Sequence, residues 1–490
     1  MEYLIQGLIY VFTPIHFLSL FLGVTGGVIV GAIPGLTGSV GIILALPFIY
    51  KMDPGASLIM LSGMFCGSIY GGSISAILIS TPGTPSAAAT VLDGYPLAMK
   101  GEAGKAISVA TIASCSGGII STICLVLIAP QLAKFALRFG PVEYFALMIF
   151  GLTIIGSVSG SSLTKGILSG LLGLAISIVG IDPTYGIQRY TFGSIKLLSG
   201  FPMLPVLIGL FAISQILTEL VDVNKPKITF DQKIKGSVLS LKELKNLFKV
   251  IIPSSFLGTF IGIIPGTGGA IASFLAYNEA RRFSKTPNEF GKGHLHGIAA
   301  PEAANNGTTG GAMVPLLTLG VPGDAVTSVM LGAMMLIGVQ PGPLLFKESP
   351  QIVNNLFIGL MFAQILLLII GLAGIRVFPR ILKIKKSILF PVILILCFIG
   401  SYTLGNSSYN LIVALVFGII GFFLKKNGYA TAPVILGVIL GPIAERELCR
   451  ALTISHGNWG TLFHSYIAIF FYIVSILSII YSIRSKKKEI

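Results

Sequence analysis

Two short segments carry the residues best suited to chemistry. One is Ile33-Pro34-Gly35-Leu36-Thr37-Gly38-Ser39, and the other is Ile264-Pro265-Gly266-Thr267-Gly268-Gly269-Ala270. Proline removes a backbone donor and glycine loosens the chain, so each segment should interrupt a helix. An interrupted helix exposes free N–H groups and about half a positive charge at its new N-terminus. Such an end is a ready anion site. Thr37, Ser39 and Thr267 can add hydroxyls there without adding bulk. Carbonyls at the opposite ends suit a cation, so one architecture can hold an organic anion together with a coupling ion.

A second pair of breaks follows the first. Tyr70-Gly71-Gly72 precedes Ser80-Thr81-Pro82-Gly83-Thr84, and Gly310-Gly311 precedes Gly320-Val321-Pro322-Gly323-Asp324 at nearly the same spacing. Four broken helices can therefore converge near the middle of a bilayer. Asn305, Asn306 and Thr309 add amides and a hydroxyl, and Asn306 and Thr309 share a helix face. The candidate substrate-binding set is Pro34, Gly35, Thr37, Ser39, Thr81, Pro82, Gly83, Thr84, Pro265, Gly266, Thr267, Gly268, Asn305, Asn306 and Thr309. Glu302 and Asp324 are the candidate coupling-ion groups. Each has a plainer reading: Pro301-Glu302 can open a helix, and Asp324 can cap one.

Other chemistry is thin. His294 and His296 have only Glu302 near them in sequence, so no metal site is expected. Asp53, Asp93 and Asp182 each stand beside Pro or Gly, which favours turn roles. Gly266-Thr267-Gly268-Gly269 is not a dinucleotide loop, because Ile271 stands where glycine is needed. There is no GxxxxGK[ST] motif and no Ser/His/Asp or Cys/His grouping. No cofactor is expected beyond a coupling ion, H⁺ or Na⁺. The five cysteines, Cys66, Cys115, Cys124, Cys397 and Cys449, are scattered and read as small apolar filler.

The elements that must position these residues follow from composition. The chain has 490 residues, 54% hydrophobic and only 10% charged; soluble domains are about 25% charged. It reads as a polytopic membrane protein. The net charge of +15 is not a nucleic-acid signature, because the basic residues cluster between apolar spans. The first residues lack a basic n-region, so no cleavable signal peptide is expected.

Spanning segments are expected near 15–33, 57–81, 106–129, 142–160, 201–219, 351–375, 387–404, 409–424 and 461–483, with shorter ones between. About 10–14 crossings are expected. The chain divides into a first repeat over 1–221, a basic cytoplasmic linker over 222–249, a second hairpin and broken-helix region over 250–350, and C-terminal helices over 351–490. The second Pro-Gly motif lies between two basic loops, so 250–280 reads as a hairpin entering from the cytoplasm. Each arm is about 12–15 residues, roughly 20 Å, which reaches only mid-bilayer. A matching hairpin over 15–50, opening outward, would make two inverted-topology repeats.

The chain resembles the TctA family, the large membrane subunit of the tripartite tricarboxylate transporters. The first half carries the likeness in Pro34-Gly35-Leu36-Thr37, in Tyr70 to Leu78, in Thr81-Pro82-Gly83-Thr84-Pro85 and in Leu92-Asp93-Gly94-Tyr95-Pro96. The second half carries it in Gly262 to Gly266, Phe290-Gly291-Lys292-Gly293, Pro301 to Asn306, Leu319 to Gly323 and Pro341 to Leu345. The resemblance implies a bacterial cytoplasmic-membrane permease for citrate-like tricarboxylates or other organic acids. It implies two partners: a small membrane subunit (TctB-like) and an extracytoplasmic solute-binding protein (TctC-like). It also implies uptake driven by an ion gradient. An ion-conducting channel and a membrane-embedded enzyme are the rival readings. The expected fold is all-α, and transport is expected to alternate as one packed body slides against the other.

Overall fold

The computed structural model describes residues 2–158, 162–182, 186–221, 239–403 and 406–486. Linker residues 222–238 and tail residues 487–490 lie outside the described residues. The first half contains α1 (Glu2–Val11), α2 (Pro14–Ala32), α3 (Gly38–Ile49), α4 (Pro54–Ile79), α5 (Ala88–Leu97), α6 (Ala103–Ala136), α7 (Pro141–Val158) and α8 (Leu163–Ser177). A short antiparallel ladder then pairs β1 (Gly180–Ile181) with β2 (Gln188–Arg189). After it, α9 (Met203–Leu207) and α10 (Ser214–Val221) flank a π-helical turn.

The second half opens with α11 (Leu241–Ile263), α12 (Gly268–Arg282), α13 (Leu295–Leu319) and α14 (Ala325–Leu336). It continues through α15 (Pro343–Glu348), α16 (Pro350–Ala373), α17 (Phe378–Leu382), α18 (Lys386–Thr403), α19 (Ser408–Lys426), α20 (Thr431–Ile454) and α21 (Tyr466–Lys486). Among the described residues, eight helical stretches are long and apolar enough to cross a membrane. The chain is an all-α polytopic membrane protein.

Both Pro-Gly motifs end a helix in the same way. Ile33 (φ −86°, ψ 113°) and Ile264 (φ −79°, ψ 111°) are extended, because a residue before proline is pushed out of the helical region. Gly35 and Gly266 follow with φ of 95° and 84°, where a side chain would be strained. The second breaks also match: α4 ends on left-handed Ser80 and α13 on left-handed Gly320. The halves thus share one element order: long helix, Pro-Gly tip, shorter helix, long helix, second break.

The second hairpin's entering arm, α11, has 23 residues, longer than expected, while the returning arm α12 has 15, within the expected length. The last part of the 222–249 interval is helix, because a Ser240–Glu243 capping box starts α11 there.

Glycines set the closest helix contacts. Gly23, Gly27 and Gly31 on α2 meet α4, which brings Gly63, Gly67 and Gly71 to the same seam. A Cβ at Gly27 would lie 2.5 Å from the Met64 carbonyl oxygen, and one at Gly67 would lie 2.4 Å from that of Val24. The pair α11 and α13 repeats the device: a Cβ at Gly258 would lie 2.1 Å from the Ala304 carbonyl oxygen. Small residues at every fourth position let membrane helices pack backbone to backbone. The halves also exchange contacts. The returning arm α3 of the first half packs on α14 of the second, and α12 packs on α5 of the first.

Candidate functional site

The second break of the second half, Gly323 to Ala325, joins the two Pro-Gly tips. Gly266 donates its N–H to the Gly323 carbonyl at 2.7 Å. Two residues on, the Ala325 carbonyl accepts the Ser39 hydroxyl at 3.2 Å. The two tips therefore bear on one short stretch of backbone.

The tips differ in what they leave open. Thr37 caps α3, its hydroxyl accepting from the Val40 N–H at 3.5 Å. Gly35 lies against Glu219: a Cβ there would be 2.4 Å from that carboxyl carbon. The Glu219 carboxylate also takes the Lys386 ammonium at 2.5 Å. The first tip thus already faces a carboxylate of its own chain. At the second tip no side chain among the described residues caps α12. Thr267 turns its hydroxyl back to the carbonyls of Ile261 and Ile264, at 2.6 and 2.9 Å, so it does not project as a free donor. Beside Gly268, whose φ is 66°, there is open space.

Asn305 faces that open end. A Cβ built on Gly269 would lie 2.8 Å from Asn305 Oδ1 and 3.0 Å from the Ser86 Cβ. Asn305 is fully buried, yet among the described residues neither its Oδ1 nor its Nδ2 has a hydrogen-bond partner. Buried amides without partners cost about 1–3 kcal/mol and call for an explanation. Thr84 and Ser86 share a hydroxyl contact at 3.1 Å beside them. Thr81 bonds locally to the Ile79 carbonyl at 3.2 Å. Pro82 and Gly83 bring the chain back onto α4, where Gly83 donates to the Gly72 carbonyl at 3.1 Å. Asn306 and Thr309 do share a face: Thr309 donates to the Asn306 carbonyl at 2.6 Å, and Asn306 Oδ1 is unpartnered.

Glu302 does not open a helix. α13 starts at Leu295 with His294 as its cap, so Glu302 lies well inside it. The polar run from His294 to Thr309 hid that continuity. The Glu302 carboxylate is fully buried and sits among three hydroxyls of the first half. Ser73 donates at 2.5 Å, Ser114 at 2.9 Å, and Thr90 also donates. Glu302 and Asn305 are three apart, neighbours on one helix face. Asp324 does cap α14, taking the Thr327 N–H on Oδ1 at 2.7 Å.

Asp93 is not a turn residue. It is fully buried in α5 and organises a loop of the other half. One oxygen accepts from the N–H groups of Gly291, Gly293 and His294 at 2.9, 2.8 and 2.7 Å; the other takes the Tyr277 hydroxyl at 2.9 Å. Its partners are remote in sequence, so no local signal marked them. Asp93→Ala should leave these donors unpaired and cost about 3 kcal/mol or more. Thermal unfolding of the purified protein checks this, and an unchanged midpoint would refute the loop-anchoring role.

These features define a polytopic membrane protein built on discontinuous helices. The family model described as the tripartite tricarboxylate transporter TctA family matches residues 17–436, and the chain belongs to that family. The family is one of transporters and not of enzymes, which makes the chain a permease of the tripartite type. An uncharacterized 52.8 kDa protein in the TAR-I ttuC' 3' region of Agrobacterium vitis is 35% identical over 482 residues, covering 98% of this chain and 96% of that protein. An uncharacterized protein in the TAR-II ttuC' 3' region of the same organism is 35% identical over 237 residues, 48% of this chain and 98% of that protein. No solved structure matches the chain.

Proposed function

We propose that this permease imports tricarboxylate- or dicarboxylate-type organic acids, driven by an H⁺ or Na⁺ gradient. It receives substrate from an extracytoplasmic solute-binding protein and works with a small membrane subunit. The observation that carries the reading is the buried, unpartnered amide of Asn305 beside the uncapped end of α12. A substrate carboxylate placed there meets the helix N–H groups, the Asn305 amide and the Thr84 and Ser86 hydroxyls. Those groups replace its hydration within the membrane. Glu302, one turn away on the same face, is the coupling group, since an acid at membrane depth is functional by default. Asp324 supports it at the junction of the tips, where its Oδ1 takes the Thr327 N–H and hydroxyl. We read the matched halves as inverted repeats that alternate access by moving one packed body against the other.

Asn305→Ala tests the site, because structure and function pull in opposite directions. A structural amide would destabilise on removal; an unpartnered one costs the fold little to lose. The expected result is an unfolding midpoint at or above wild type, with uptake into proteoliposomes reduced at least about tenfold. Normal uptake with a lowered midpoint would sink the reading.

A further inference from the structure

A groove of about 570 Å³ lies between the arms of the second hairpin, at their basic end. Its depth is apolar: Val250, Pro253 and Leu257 come from α11, and Ala276, Ala280 and Phe283 from α12 and its end. Its mouth is basic, with Lys249 and Lys285 beside His294 and His296. A second cavity of about 440 Å³ shares Asn246, His294 and His296 with it and adds Lys100 and Lys292.

Two of the acids nearby are engaged: Glu279 meets Arg282 at 3.7 Å and Glu243 meets Lys105 at 2.6 Å, while Glu289 lies 4.0 Å from the His294 imidazole. Among the described residues, no carboxylate lies within ion-pair distance of the Lys249, Lys285 or Lys292 ammonium. With Lys249 and Lys285 against the single acid Glu279, which is paired with Arg282, the lining is net positive. The outer faces of both arms are exposed and apolar, with Phe256 at 44%, Phe260 at 65% and Phe274 at 42%. Such faces belong in the acyl-chain layer.

An apolar slot opening on a cationic mouth, beside exposed apolar helix faces, matches an amphiphile with an anionic head. A soluble anion would use the mouth and leave the slot unfilled. We propose that this groove binds an anionic phospholipid, with one acyl chain between α11 and α12 and its phosphate at Lys249 and Lys285. The lipid then wedges the two arms at the end opposite the tip.

The full-length protein, purified in neutral detergent and stripped of lipid, tests this by native mass spectrometry and thermal unfolding. Phosphatidylglycerol and phosphatidylcholine are titrated separately. The expected result is one phosphatidylglycerol bound at least about tenfold more tightly than phosphatidylcholine. The Lys249→Gln/Lys285→Gln double variant, altered only at the mouth, should lose about tenfold of that affinity, and Lys134→Gln should not. Ala280→Leu, which narrows the slot, should weaken phosphatidylglycerol while leaving the fold of the unliganded protein intact. Equal binding of the two lipids, or equal loss in Lys134→Gln, would overturn the proposal. So would stabilisation by inorganic phosphate alone as large as that by phosphatidylglycerol, since the mouth would then serve a soluble anion.

Discussion

Glu302→Gln is expected to fold as the wild type does and to lose gradient-driven uptake. The carboxylate is held by Ser73, Thr90 and Ser114, all hydroxyls, which can donate or accept by rotating. Glutamine keeps the volume and finds partners among them, so the unfolding midpoint should move little. What it cannot do is gain or lose charge. If the coupling ion is a proton, Gln fixes the neutral state; if it is Na⁺, Gln removes the countercharge. Either way accumulation against a gradient should fall at least about tenfold, while exchange of substrate across the membrane at equal concentrations persists. Glu302→Leu provides the contrast. It strands three buried hydroxyls and should lower stability by about 2 kcal/mol or more. Accumulation at wild-type levels in Glu302→Gln would remove Glu302 from the coupling step.

Gly27→Val should produce a large loss of stability. The added Cβ would press against the Met64 carbonyl, a backbone atom of α4 that cannot rotate away. Separating α2 from α4 would also loosen Gly23 and Gly31, which approach Met60 and Ser68 more closely still. Overpacking typically costs about 1–3 kcal/mol, and a backbone clash belongs at or beyond the top of that range. The measurement is the monodisperse fraction after detergent extraction, with the unfolding midpoint of what survives. Gly170 supplies the control, since among the described residues nothing outside its own helix backbone lies within 4 Å of where its Cβ would sit. Gly170→Ala should be neutral or gain up to about 1 kcal/mol from helix propensity. Equal behaviour of the two variants would contradict the close-packed seam.

Much of the architecture was legible because its signals are local. Pro34 and Pro265 dictate extended residues before them, and apolar runs set the spans; the helices fall close to those expectations. The starts of α11 and α13 were not legible, because charged and amide residues interrupt the apolar pattern without interrupting the helix. The hydroxyls around Glu302 were invisible, since Ser73, Thr90 and Ser114 look ordinary in sequence and meet the acid only through folding. The difference between the tips was hidden for the same reason: it turns on Glu219, which lies in another helix. The glycine seam was readable, at every fourth position of α2 and α4, but a search for breaks passes over glycines that sit inside intact helices.

The crossing of α3 onto α14 and of α12 onto α5 has a bearing on biogenesis. Ser39 leaves the ribosome long before its acceptor, the Ala325 carbonyl, has been synthesised. The nascent first tip must wait in the insertion machinery, or against lipid, with its eventual neighbour missing. Each half is therefore expected to mature fully only beside the other. Half-chains made separately should be cleared by membrane proteases, and should survive when produced together in one cell.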